Sequence, residues 1–160
     1  MKEYTLKEAV ETAIKAEELG IQYYSELARK FDKNPEIKEM LEKLAKDEIQ
    51  HKNQFSDLLK LVPEGKEPTK MDVEYIKGVD ISKFFDDMEA VDTSQKPKEI
   101  LQRAYEFEKE SVLFYLGIRD MFGGSAVLDE IIQIEKGHMT RLMKYIVEDS
   151  KFRGIADEWD

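Results

Sequence analysis

Two pentapeptides hold the only two histidines of the chain, DEIQH at residues 47–51 and IEKGH at residues 134–138. In each, a glutamate stands three positions before the histidine: Glu48 before His51, and Glu135 before His138. Residues three apart project from one face of an α-helix, so each pair offers a carboxylate oxygen and an imidazole nitrogen to a single point. Oxygen and imidazole donors without sulfur suit iron or manganese, and with no cysteine in the chain a thiolate-rich structural zinc site is excluded. One Glu-x-x-His on an acidic helix is a weak signal, since a solvated face or an ordinary hydrogen-bonded histidine gives the same spacing. Two copies that use both histidines of the chain are a stronger one.

The neighbours of these residues place them in the interior. Apolar positions recur in steps of three and four through Leu6, Val10, Ala13, Glu17, Gly20, Tyr24, Leu27 and Phe31, and again through Ile37, Leu41, Leu44, Glu48, His51, Phe55 and Leu58. A third stripe runs Leu101, Ala104, Glu108, Ser111, Tyr115, Ile118 and Phe122, and a fourth Leu128, Ile131, Glu135, His138, Leu142 and Tyr145. This is the spacing of helix faces turned toward a bundle core. Each stripe is interrupted near its middle by one glutamate: Glu17, Glu48, Glu108 or Glu135. Ala13–Tyr24 and Ala104–Tyr115 share alanine, glutamate and tyrosine at equivalent places, and each is followed by a helix bearing Glu-x-x-His, the mark of a duplicated helical hairpin.

Four carboxylates and two imidazoles brought together in a low-dielectric core must take up protons or bind cations, and two divalent metals would neutralise them. The same sequence closes other routes. It lacks cysteine, which removes disulfides, thiolate nucleophiles and iron–sulfur clusters, and it lacks the HExxH zinc-protease motif. Twenty-five basic against 35 acidic side chains, a net charge of −10, argue against a nucleic-acid surface. The N-terminus has no apolar signal region and no apolar run reaches the length of a membrane span, so the expectation is a soluble, cytoplasmic protein with no membrane segment.

Local signals bound the elements. Thr5 with Glu8 forms a capping box, Asn34 followed by Pro35 opens a second helix, and the glycines of FGGS close a third. Helices are expected over about 5–31, 35–62, 97–122 and 126–150, in a single domain spanning 1–160. The stretch 63–96, with a short amphipathic piece around ISKFFDDMEA, is long for a connection inside a compact domain unless it crosses the length of the bundle. The fold class is therefore all-α: a four-helix bundle with a long crossover between helices two and three.

The order Glu, Glu-x-x-His, crossover, Glu, Glu-x-x-His, with a tyrosine seven residues after each lone glutamate, resembles the rubrerythrin branch of the ferritin-like di-iron carboxylate superfamily. The resemblance implies two iron ions, with manganese or zinc as alternative occupants. It further implies terminal ligands Glu17, His51, Glu108 and His138 and bridging carboxylates Glu48 and Glu135. Tyr24 and Tyr115 would stand behind the ligands as hydrogen-bond donors or radical quenchers, or serve as plain core aromatics, and Asp47 could orient a histidine across the bundle. The implied activity is reduction of hydrogen peroxide or dioxygen in a homo-oligomer, a dimer by preference; ferroxidase or iron-handling chemistry and a non-catalytic metal-binding bundle are the alternatives. Two departures stand out. Rubrerythrins usually carry a four-cysteine rubredoxin-like domain, which this sequence lacks, so electrons are expected from a separate donor protein such as a rubredoxin. Many also have a third-helix glutamate able to replace the second-helix histidine as a ligand, where this chain has Ser111. Gly20 and Ser111, small where the other two helices place histidine, suggest an entry point for oxidant.

Overall fold

The computed structural model describes residues 4–63 and 96–151. Four helices fill them: α1 (Leu6–Lys30), α2 (Pro35–Leu59), α3 (Pro97–Phe122) and α4 (Ala126–Lys151). No strand occurs among the described residues.

The helix ends follow from local chemistry. The Thr5 hydroxyl accepts from the Glu8 amide at 3.2 Å while the Glu8 carboxylate accepts from the Thr5 amide at 2.8 Å, so two amide groups of the first turn are satisfied reciprocally. At α2 the Asn34 side chain accepts from the Ile37 amide at 3.2 Å, with Pro35 in the first turn, where its missing N–H costs nothing. Between α3 and α4 the chain reverses through Gly123 and Gly124, at φ 77° and 104°, a region costly for residues with a Cβ. The second helix stops three residues short of the expected 62. Leu61 bonds back to Leu58 and Val62 to Leu59, so the last turn tightens to i→i+3 as the chain approaches Pro63, whose ring disfavours helical geometry in the residue before it.

The four stripes do face one core. Every stripe position is buried except Ile37, Phe122 and Tyr145, which are half-buried near helix ends. α1 packs chiefly against α2 and α3 against α4, with α1 also touching α3 and α2 touching α4. The bundle is thus a square in which the two lone-glutamate helices share one side and the two Glu-x-x-His helices share the opposite one. Tyr24 meets Glu108 and Tyr115 meets Glu17, which makes α1 and α3 antiparallel. Pro63 and Lys96 therefore lie toward opposite ends of the bundle, the endpoints that a lengthwise crossover requires. The crossover itself, and its amphipathic piece, lie outside the described residues.

Candidate metal centre

Midway along the bundle the six expected ligands converge. Glu17, His51, Glu108 and Glu135 have no exposed surface, and Glu48 and His138 are 2% and 1% exposed. His51 Nδ1 lies 2.9 Å from Glu135 Oε1, 3.7 Å from Glu17 Oε2 and 4.0 Å from Glu48 Oε1. His138 Nδ1 lies 3.0 Å from Glu135 Oε2, 3.2 Å from Glu48 Oε1 and 3.6 Å from Glu108 Oε1. Two four-donor groups result, Glu17–Glu48–His51–Glu135 and Glu48–Glu108–Glu135–His138, each with its donor atoms within 4.8 Å of one another. Glu48 and Glu135 belong to both.

Around this cluster stands a second ring of polar groups. The Tyr24 hydroxyl donates to Glu108 and the Tyr115 hydroxyl to Glu17, so each tyrosine serves the lone glutamate of the other half of the repeat. Asp47 reaches across from α2 to His138, its Oδ2 3.2 Å from Nε2, and is held from outside by the Lys43 ammonium at 3.0 Å. An N–H at Nε2 given to a carboxylate leaves the Nδ1 lone pair directed at the cluster.

The electrostatics of the cluster follow from its burial and the charges its members place on one another. Burial pushes the carboxyls of Glu17 and Glu48 above the usual range, with the Glu135 charge adding to it, and pushes Glu108 up to about 8 for the same reasons. Burial acts on Glu135 in the same sense, but the His138 and His51 imidazoles close beside it outweigh burial and hold its carboxyl well below the usual range. For the imidazoles, burial works against the charged form and loses to the carboxylates around them. His51 rises to about 10 beside Glu135 and Glu17, and His138 also rises, through Glu108 and Asp47. The hydrogen bond with His138 brings Asp47 down to about 2, partly opposed by burial. Two imidazolium ions thus face two carboxylates, Glu135 and Asp47, while the other three glutamates are driven toward the neutral acid.

Protons do not satisfy the cluster fully. Glu17 Oε2, Glu48 Oε1, Glu108 Oε2, both oxygens of Glu135 and Nδ1 of both histidines are buried without a hydrogen-bond partner. Orphaned buried polar atoms are rare and costly. Here they are oxygen and nitrogen donors from all six residues, aimed at a common centre, and four carboxylate charges match two divalent cations. The donor set fits a di-metal site.

Gly20 departs from expectation. A Cβ at that position would lie 2.7 Å from Glu48 Oε2, so the space left by glycine is filled by the Glu48 carboxylate and is not an opening. Ser111 is buried and its hydroxyl donates to the Phe107 carbonyl at 2.9 Å. The space at Gly20 is therefore not the oxidant entry that the sequence suggested. The role of Gly20 was visible in one signal alone, the small residue three places after the lone glutamate in both halves of the repeat.

Among the described residues no helix is long and apolar enough to cross a membrane. Of solved structures, a Thermotoga maritima protein described as ferritin-like and diiron-carboxylate is 24% identical over 93% of this chain and 99% of its own, with a TM-score of 0.66, which is a likeness of fold. No curated protein matches. The rubrerythrin family model matches residues 8–146, a span that contains all six cluster residues, both tyrosines and Asp47, and the chain belongs to the rubrerythrin family.

Proposed function

We propose that the chain is a di-iron oxidoreductase that reduces hydrogen peroxide or dioxygen, drawing electrons from a separate donor protein such as a rubredoxin. The observation that carries the reading is the pair of four-donor groups joined through Glu48 and Glu135. Glu17 and His51 would complete one metal position, and Glu108 and His138 the other. Two ferrous ions held there would supply the two electrons that break an O–O bond. The protein's own part is to fix the donors and keep them dry. Its tyrosines act on the same atoms, because hydroxyls that donate to Glu17 and Glu108 moderate the basicity of those carboxylates and hold them in place. Peroxide reduction consumes two protons with the two electrons and yields two waters. The buried core offers no bulk solvent to supply those protons, and the half-buried Asp47, bonded to His138 on one side and to the exposed Lys43 on the other, links the cluster to the surface. A cytoplasmic homodimer is the expected setting.

Anaerobic purification with metal analysis, followed by mixing of the reduced protein with peroxide or with dioxygen under a continuous reductant, tests the proposal. Repeated turnover with two irons per chain supports it. Oxidation of added ferrous ion with accumulation of ferric product points to the ferroxidase alternative. Stable metal binding with no turnover of either oxidant points to a non-catalytic metal-binding bundle.

A further inference from the structure

The two halves of the centre are built from a repeat, yet their histidines are not held alike. His138 gives Nε2 to Asp47 at 3.2 Å. His51 turns Nδ1 to the cluster in the same way, but its Nε2 is buried with no hydrogen-bond partner. The cause is in the sequence. Asp47 immediately precedes Glu48 on α2 and serves the histidine of α4; the residue that immediately precedes Glu135 on α4, and so corresponds to Asp47, is Ile134. Both positions are half-buried, so the difference between them is chemical. Gln54, one turn beyond His51, has a buried carbonyl oxygen that is also without a partner, so it does not serve His51 either.

We propose that the two metal positions are unequal, and that Asp47 sets the inequality by supporting His138 while Ile134 leaves His51 without a counterpart. The inference rests on the di-metal reading above. A histidine whose second nitrogen is hydrogen-bonded has its ring and tautomer fixed and its free nitrogen made more basic. Loss of such a partner typically weakens metal binding by roughly 10- to 100-fold. When His51 binds through Nδ1 its N–H at Nε2 is left in the core without an acceptor, which adds a desolvation cost. The position formed by Glu48, Glu108, Glu135 and His138 therefore fills first. The one formed by Glu17, Glu48, His51 and Glu135 fills second and empties first.

Titration of the metal-stripped protein with cobalt(II) under anaerobic conditions, followed by calorimetry and by the visible bands of the bound ion, tests this. The unmodified protein should show two steps separated by roughly tenfold or more in Kd. Ile134→Asp should tighten the second step toward the first, and Asp47→Ala should weaken the first so that the two merge. Asp47→Asn keeps an acceptor oxygen and should restore part of the separation, a rescue that a purely structural role for Asp47 would not produce. Two equal steps in the unmodified protein overturn the inference. So does an Ile134→Asp protein that keeps its helical circular dichroism and leaves the separation unchanged. Should Ile134→Asp not fold, the Asp47 pair decides alone: unaltered steps in Asp47→Ala count against the proposal, merged steps for it. Absence of cobalt binding overturns the underlying di-metal reading instead.

Discussion

Stripping the metal and raising the pH should unfold this protein under conditions where most acidic proteins are stable. Glu108 rises from 4.5 to about 8 in the folded protein and His51 from 6.5 to about 10, so both bind a proton more tightly when folded. The stability Glu108 contributes by holding its proton is complete below pH 4.5 and is lost as the pH rises through 8. That of His51 is complete below pH 6.5 and is lost as the pH rises through 10. A change of that size corresponds to on the order of 5 kcal/mol per group, against a total stability of about 5–15 kcal/mol for an ordinary domain. Between pH 7 and 8 the folded chain holds one to two more protons than the unfolded chain at these two groups, a loss of roughly 2 kcal/mol per pH unit. Glu135 and Asp47 act in the opposite sense. Their contribution is present above their ordinary values and is lost in acid, for Asp47 as the pH falls through about 2. Metal-free protein should therefore be most stable near pH 4.5, where the Glu135 and Asp47 contributions are largely present and that of Glu108 is not yet lost, and decline steadily above. Urea unfolding of chelated protein at several pH values from 5.5 to 8.5, followed by helical circular dichroism, reads this directly. The loaded protein is the control, since its ligands are already deprotonated and metal affinity grows with pH. A metal-free protein whose unfolding midpoint stays level or rises across that range would show that the cluster is not the proton-compensated charge group described here.

Other consequences can be checked in parallel. Loading two divalent ions near pH 6.5 should expel at least three protons, from Glu108, His51 and His138, with Glu48 and Glu17 adding to them, as measured by calorimetry in buffers of different ionisation enthalpy; release of one or none contradicts the protonation pattern. Glu48→Ala or Glu135→Ala should drop the metal content well below two per chain, because each residue belongs to both donor groups, and full occupancy in both variants would remove the bridging assignment. Gly20→Ala should leave the metal-free fold within about 1 kcal/mol, since alanine favours helix and the displaced Glu48 carboxylate can swing, yet weaken metal binding by roughly tenfold. Unchanged affinity there would mean that Glu48 need not occupy the position it takes beside Gly20. Because Ser111, a short and neutral ligand whose hydroxyl donates to the Phe107 carbonyl, stands where a carboxylate would be needed to replace His51, X-ray absorption of reduced and oxidised protein should find the same number of imidazole ligands in both states.

Much of this was legible in the sequence because it is local. Caps at Thr5 and Asn34, the reversal at Gly123 and the periodic stripes each depend on residues within a turn or two, and all appear where the spacing puts them. The six ligands were legible for the same reason, as polar interruptions of otherwise apolar faces. Relations between helices were harder to read. The pairing of Asp47 with His138, the exchange of tyrosines between halves and the approach of Glu48 to Gly20 depend on the rotation and relative height of whole helices, which the full core fixes together. Glu135 alone among the four glutamates is held below the usual carboxyl range while the others are raised, and only the positions of both imidazoles reveal why.

Neither hairpin owns a metal position. One position takes Glu17, Glu48 and His51 from the first hairpin and only Glu135 from the second; the other takes Glu108, Glu135 and His138 from the second and only Glu48 from the first. Each hairpin is thus a three-ligand half that lends one carboxylate to its neighbour, and all six of these ligands lie outside the link between α2 and α3. A chain severed in that link should reassemble from its two pieces, with metal acting as the fastener and a chelator prying them apart. Two copies of the first hairpin alone, related by a twofold axis, would supply the same ligand types in the same numbers. A symmetric dimer of hairpins is therefore a chemically sufficient precursor for this bundle, and the Asp47 and Ile134 difference is the kind of divergence that fusion into one chain permits.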